Sequence, residues 1–177
     1  LFDDAHAAAT ATDFPTLPAF TVPVQVRETD LLYGQGHFGV FALEEIPAGT
    51  KFWIWTDRVQ KIPSCELEDY LETESKGNWE VKRILLRQGF VLPNTEQAST
   101  KEDFFYSNPT DAGRFMNHSS QHANCGPDGT LRNIQAGEEM TMDYSFHGNP
   151  VWYQQICQKY QILTERQVAQ QHNNVAA

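Results

Sequence analysis

The chain has 177 residues, 40% of them apolar and 20% charged, which suits one globular domain with a core of its own. Its formal net charge of −10 counts against a phosphate-binding surface and favours a basic partner. No apolar run approaches the ~20 residues of a membrane span and no basic-then-apolar leader opens the sequence, while three widely spaced cysteines, Cys65, Cys125 and Cys157, suggest a reducing compartment more than a disulfide framework.

Residues 1–20, rich in Ala and Thr, read as a loose arm, and a chain that starts at Leu1 reads as a piece of a longer one. Strand pattern begins at Thr21, where Val22, Val24 and Val26 alternate with Pro23, Gln25 and Arg27; Pro23 places this strand near a sheet edge. Gly34, Gly36 and Gly39 punctuate the loop that follows. Glycine there permits positive φ and close approach of backbone to a ligand, and a plain glycine-rich hairpin satisfies the same residues. The pattern Ile46-Pro47-Ala48-Gly49 returns as Ile134-Gln135-Ala136-Gly137, each ahead of a strand, so the chain carries a duplicated strand-turn-strand unit. That unit points to several small sheets and few helices, a β-rich α+β fold.

Between the two copies, residues 63–76 are acidic, with Ser64 as an N-cap and Leu67, Tyr70 and Leu71 at helical spacing. Residues 79–92 are apolar enough to be buried but fit neither period. A polar loop fills 93–103, and Phe104-Phe105-Tyr106 returns to the core. Past Tyr144, Asn149 caps and Pro150 opens a helix with Trp152, Tyr153, Ile156, Cys157 and Tyr160 at helical spacing. Thr164-Glu165-Arg166-Gln167 has the form of a capping box, and the Gln/Asn-rich end from Gln170 should fray.

Two segments carry the chemistry. Arg114 to Ser119 sets a cation, two apolar side chains, an amide, an imidazole and a hydroxyl in six positions, more polar than a plain core strand tolerates. Ala136-Gly137 makes a turn, after which Met140, Met142 and Tyr144 alternate with Thr141 and Asp143 as in a strand. Together these segments resemble the signature of the SET-domain protein-lysine methyltransferases, which carry Arg-Phe-Ile-Asn-His-Ser and, a little further on, Gly-Glu-Glu-Leu-Thr-Phe-Asp-Tyr. The likeness extends upstream through Gly34 to Ala42 and Ile46 to Gly49, roughly residues 22 to 146.

The resemblance implies a SET-like domain over 21–147, with a knot-like crossing where the Asn117 segment meets the strand of Tyr144, and a C-terminal helical cap with a frayed tail over 148–177. It implies S-adenosyl-L-methionine-dependent methyl transfer to a lysine of a basic protein, a histone tail being one candidate, inside the cell in nucleus or cytoplasm. No direct nucleic-acid contact and no membrane are expected. By the same likeness Tyr144 is catalytic, its hydroxyl beside the transferring methyl, and Gly34, Gly36, His37, Phe38, Arg114, Asn117 and His118 bind the cofactor. Trp55, Tyr106, Met142, Phe146 and Trp152 would line the lysine channel. An aromatic channel suits the task, because desolvation lowers a lysine pKa from its usual ~10.4 and frees the lone pair. Met142, two before the tyrosine, offers no hydroxyl to fix a water beside the amine, which points to di- or trimethylation.

The chain departs from the family after Ser119, where Ser120-Gln121-His122-Ala123-Asn124-Cys125 replaces the usual Cys-x-Pro-Asn-Cys. Only Cys157 follows the tyrosine, so a structural zinc lacks ligands. The helix from Asn149 is then the substitute lid, with Trp152 and Tyr153 facing the channel. These departures keep a second reading open, a SET-like module that grips basic peptides without transferring methyl groups. A Cys/His hydrolase using Cys125 with His118 or His122 is a third, and its spacing matches no nucleophile pattern.

Overall fold

The computed structural model describes residues 19–29, 38–92, 103–107 and 112–164, with 167 and 170. The arm up to residue 18, Gly34, Gly36, His37, the polar loop at 93–102 and the tail past Gln170 lie outside the described residues. In chain order the strands are β1 (Val24–Glu28), β2 (Phe38–Ala42), β3 (Gln60–Pro63), β4 (Phe90–Val91), β5 (Phe104–Ser107), β6 (Asn117–His118), β7 (Cys125–Gly126), β8 (Gly129–Thr130) and β9 (Glu139–Met142); the helices are α1 (Leu67–Ser75), α2 (Trp79–Arg87) and α3 (Val151–Lys159). The mixture of short sheets, few helices and a C-terminal helix is the expected α+β class. The chain divides into two compact units, Leu1–Thr56 with Asp111–Asp143, and Asp57–Thr110 with Tyr144–Ala177.

The first unit is built on one sheet of order β1-β2-β9-β7-β8, with β6 also paired to β9. Pro23 precedes an edge strand, as its missing N–H requires, and Val24 and Val26 turn inward from it. β2 runs antiparallel between β1 and β9. The Asn117 segment meets β9 as a parallel pairing, Asn117 opposite Thr141 and His118 opposite Met142, and Cys125 of β7 also pairs with Met142. The strand ends there. Tyr144, expected within it, instead opens a 3-10 turn, Tyr144–Phe146. Inward side chains of these strands, including Val40, Met140 and Cys125, share a core with Phe52, Met116, Ile46 and Ile134.

The duplicated Ile-x-Ala-Gly units pair with each other. Ile46 and Ile134 exchange both backbone hydrogen bonds at 2.9 Å across an antiparallel bridge, and their side chains are 1% and 0% exposed. Each copy then makes the same tight turn, closed by the Thr50 N–H on the Pro47 carbonyl and the Glu138 N–H on the Gln135 carbonyl. The third residue of each turn has positive φ, 77° at Gly49 and 82° at Gly137, which is why glycine recurs there. Lys51 to Trp55, read as the strand after the first copy, makes only an isolated bridge between Trp53 and Phe20.

The second unit has a sheet of order β3-β5-β4, with Phe105 fully buried on its central strand. Ser64 does not cap α1; it begins a 3-10 turn, Ser64–Glu66, and the helix follows with Leu67 and Leu71 buried. The undetermined stretch from 79 holds α2, whose start is set by Asn78: its side chain accepts from the Glu80 and Val81 N–H groups at 2.9 and 3.2 Å. Trp79 is 44% exposed, against expectation, while Leu85, Leu86 and Lys82 face inward, the Lys82 ammonium meeting Glu72. Pro150 rather than Asn149 occupies the cap position of α3, which buries Tyr153, Ile156 and Cys157 on one face as its spacing predicts, with Tyr160 buried at its C-cap. The capping box forms reciprocally, Thr164 N–H to Gln167 Oε1 at 2.9 Å and Gln167 N–H to Thr164 Oγ1 at 3.3 Å. All three cysteines are free, and among the described residues no helix is long and apolar enough to cross a membrane.

Because Ile134 is wholly buried against its own repeat, Ile134→Ala should destabilise the protein by about 2–5 kcal/mol, combining lost transfer energy with a cavity. Urea denaturation of the two forms measures the difference.

Candidate functional site

In the first unit the predicted cofactor residues that are described, Phe38, Arg114, Asn117 and His118, gather where β2 begins and β6 meets β9. The Asn117 amide nitrogen donates to the Phe38 carbonyl at 3.0 Å and to Glu139 Oε1 at 2.7 Å. Both neighbours are acceptors, which fixes the orientation of the amide with its nitrogen toward the protein, and neither bond uses Oδ1. Thr29 Oγ1 donates to the other Glu139 oxygen at 3.0 Å. A Cβ on Gly39 would fall on the Glu139 carboxylate, so this third glycine serves close packing within β2. One carboxylate thereby joins the end of β1, the start of β2 and β6. Sequence reasoning passed over Glu139, although it is the second acid of the Gly-Glu-Glu motif.

His118 lies beside this clip, 1% exposed, with Nδ1 3.9 Å from Asp143 Oδ1. That separation is beyond hydrogen-bond length and becomes an ion pair only if the ring is protonated. Arg114 sits in a 3-10 turn, Ala112–Phe115, its guanidinium 4.6 Å over the Phe115 ring, which in turn lies 5.9 Å from Phe38. The structure therefore brings Phe38, Arg114, Asn117 and His118 together. Ser119 acts locally: its N–H donates to the Met142 carbonyl and its Oγ accepts from the His122 N–H.

The altered run after Ser119 still holds β9. Asn124, nearly fully buried, donates to the Glu139 carbonyl at 2.7 Å and to Glu138 Oε1 at 3.2 Å, and accepts from the Thr141 N–H at 2.9 Å. Burial pushes the Cys125 thiol up to about 12, so it stays protonated near neutrality and the Cys/His hydrolase loses its nucleophile. Arg132 lies against Glu138, and that hydrogen-bonded ion pair, helped by the Gln135 N–H, holds the Glu138 carboxyl at about 2.

The second unit gathers aromatic rings around Tyr144. Tyr144 stacks on His147 with centroids 5.0 Å apart, His147 stacks on Phe90 at 5.1 Å, and Phe90 stacks on Tyr106 at 5.7 Å. Phe146 meets His147 edge-on at 4.5 Å. Of the predicted channel residues, Tyr106 and Phe146 thus share a cluster with Tyr144, and Phe90 and His147 complete it. Trp152 is engaged elsewhere, its indole N–H donating to Asp103 Oδ2 at 3.0 Å. Tyr153, expected to face the channel, packs on Phe105 in the core. Trp55 is 52% exposed and edge-on to Trp53, and Met142 ends β9 half-buried, both within the first unit.

A sequence model of the SET domain matches residues 37–145, and the chain belongs to that family. SET-domain proteins are in general protein-lysine methyltransferases that use S-adenosylmethionine. Among solved structures, a chain of the humanized mutant of the Chaetomium thermophilum Polycomb Repressive Complex 2 bound to the inhibitor GSK343 is similar at 19% identity, with a TM-score of 0.47, over 80% of this chain and 17% of that chain. No curated protein matches.

The Glu138 carboxyl lies well below its unfolded value of ~4.5, so the stability it contributes is full above that value and is lost as pH falls toward 2. Glu138→Gln should flatten the acid limb of a melting-temperature profile between pH 5 and 2. An unchanged limb would show that other carboxylates govern acid unfolding.

Proposed function

We propose that this chain is an S-adenosyl-L-methionine-dependent protein-lysine methyltransferase acting on a basic protein. The observation that carries the reading is the family match over residues 37–145, which spans both the Asn117-His118 and the Asp143-Tyr144 segments. The cofactor's groups are a carboxylate, an ammonium, a sulfonium and an adenine. Arg114 offers a cation for the first, Asn117 Oδ1 an acceptor for an amine, Phe38 and Phe115 aromatic faces, and His118 main-chain groups, a donor set that fits. When bound, the cofactor supplies an electrophilic methyl group.

The remaining work falls to the chain's own residues. Rings such as Tyr106, Tyr144 and Phe146 exclude water from a lysine stem, which favours the neutral amine; its proton passes to solvent before transfer. The Tyr144 hydroxyl orients the amine lone pair for in-line attack. Met142, lacking a hydroxyl to hold a crowding water, suits di- or trimethylated products.

For the partner, the acidic face of α1 supports a Lys-rich protein, a histone tail among the candidates, which would place the enzyme in the nucleus. Lys159 and Lys82 take up Glu68 and Glu72, and Glu66, Asp69 and Glu74 complete that exposed acidic face. The runner-up, a module that binds basic peptides without transfer, draws on the changed run after Ser119.

Incubation with labelled cofactor and a panel of basic proteins separates the two. Transfer should be seen with wild type, with mass spectra showing di- or trimethyl lysine, and Tyr144→Phe should cut turnover on the order of a hundredfold with its melting temperature kept. Cofactor binding without transfer to any substrate would favour the module. Affinity for a Lys-rich peptide should also weaken as salt rises from 50 to 500 mM, and an affinity indifferent to salt would remove the α1 face from the argument.

A further inference from the structure

We propose that His147 is the positioning residue for Tyr144, holding the tyrosine through a four-ring column, Tyr106-Phe90-His147-Tyr144, in which the imidazole lies between two aromatic faces; this rests on the assignment of Tyr144 above. Backbone rules build the column. In a 3-10 turn residues three apart eclipse, and the His147 N–H closes the turn on the Tyr144 carbonyl at 3.0 Å. The two rings consequently lie face to face, 5.0 Å apart and 19° from parallel. At the other end, the antiparallel register of β4 and β5 sets Phe90 directly opposite Tyr106, and these rings stack within 17° of parallel.

Gly148 joins the two halves. Its N–H donates to the Val91 carbonyl at 2.6 Å, and a Cβ there would sit 2.5 Å from the Leu92 carbonyl oxygen, so only glycine allows the approach that lays His147 on Phe90 at 5.1 Å and 16°. Phe146 closes the remaining edge, and His147 is left 8% exposed. With one face of Tyr144 covered by the imidazole, rotation about its first side-chain bond breaks the stack, and the hydroxyl keeps one bearing. Misplacing a reacting group by about 1 Å costs on the order of a hundredfold in rate, so this ring contact reaches the chemistry without touching substrate.

The test compares the full chain with His147→Phe, which keeps a flat ring, and His147→Leu, which keeps bulk without one. The readouts are kcat and KM for methyl transfer to a basic protein, cofactor affinity by calorimetry, and carbon-13 tyrosine NMR with the Tyr144 signal assigned by its loss in Tyr144→Phe. Wild type should show Tyr144 ring protons shifted upfield by the stacked imidazole. In His147→Leu that shift should vanish and kcat should fall at least tenfold, with both KM and cofactor affinity within about twofold of wild type, and His147→Phe should restore both shift and kcat. A wild-type Tyr144 signal at the free-tyrosine position would overturn the column, and unchanged kcat in His147→Leu, or a loss in His147→Phe equal to that in His147→Leu, would overturn the positioning role. A wild type that shows the ring shift but transfers no methyl group would overturn the methyltransferase reading instead.

Discussion

The first unit depends on one half-buried carboxylate, that of Glu139. A glutamate taken from water is costly unless each oxygen finds a donor, and Glu139 receives one on each, from Asn117 and from Thr29. Meeting that demand brings three stretches of chain to one point: residue 29 after β1, the start of β2 and the short β6. Gly39 is glycine because the carboxylate fills the volume its side chain would need. The Asn117 amide is fixed for the same reason, so the residue that the family resemblance assigns to the cofactor has its orientation set before any ligand arrives. Preorganisation of this kind removes a cost from binding.

The neighbouring glutamate shows how strand alternation divides labour. Glu138 and Glu139 are adjacent, and successive side chains on a strand point to opposite faces. Glu139 enters the clip with β2 and β6, whereas Glu138 turns to Arg132, the Gln135 N–H and Asn124. One acid thus secures the site side of β9 and the other its turn. Asn124 spans both tasks, bonding the Glu138 side chain and the Glu139 and Thr141 main chain. These bonds explain how the run from Ser119 to Asn124 leads into the pairing of β7 with β9: Asn124 supplies the hydrogen-bonding group at its end, and Cys125 behind it needs only to be small and apolar.

What could be read from the sequence was whatever is encoded locally. The alternation of Val24 and Val26, the edge placement by Pro23, the α3 stripe and the Thr164 capping box all depend on residues within a few positions of one another. The motif segments were legible as a resemblance. The duplicated turns were visible too, but not that Ile46 and Ile134 bond to each other, since pairing across so long a loop leaves no local mark. α2 was missed because Lys82 sits on its inward face, disturbing the apolar period; Asn78 ahead of Glu80 was the signal that could have placed its start. Ser64 misled for the converse reason, being a good capping residue that a 3-10 turn absorbed.

Tyr144 is the case in which period and structure diverge with most consequence. Read as the next position of β9 on the same face as Met140 and Met142, its ring would point with theirs and its environment would be that of the sheet. The chain leaves the strand after Met142 and tightens into a 3-10 turn, exchanging period two for period three, and the partner of Tyr144 becomes His147 rather than a cross-strand neighbour. A strand pattern cannot announce this, because Met-x-Met-x-Tyr alternates whether or not the last residue remains in the ladder. The distinction matters chemically. A strand residue takes its orientation from the pleat and shares it with the whole sheet, while a turn residue takes its orientation from whatever packs on it. On the proposed assignment of Tyr144 to the reacting end of a methyltransferase, the rings that bear on the hydroxyl are those of the His147, Phe90 and Tyr106 column, built by the β4–β5 register, the turn bond from His147 to Tyr144 and the bond from Gly148 to Val91.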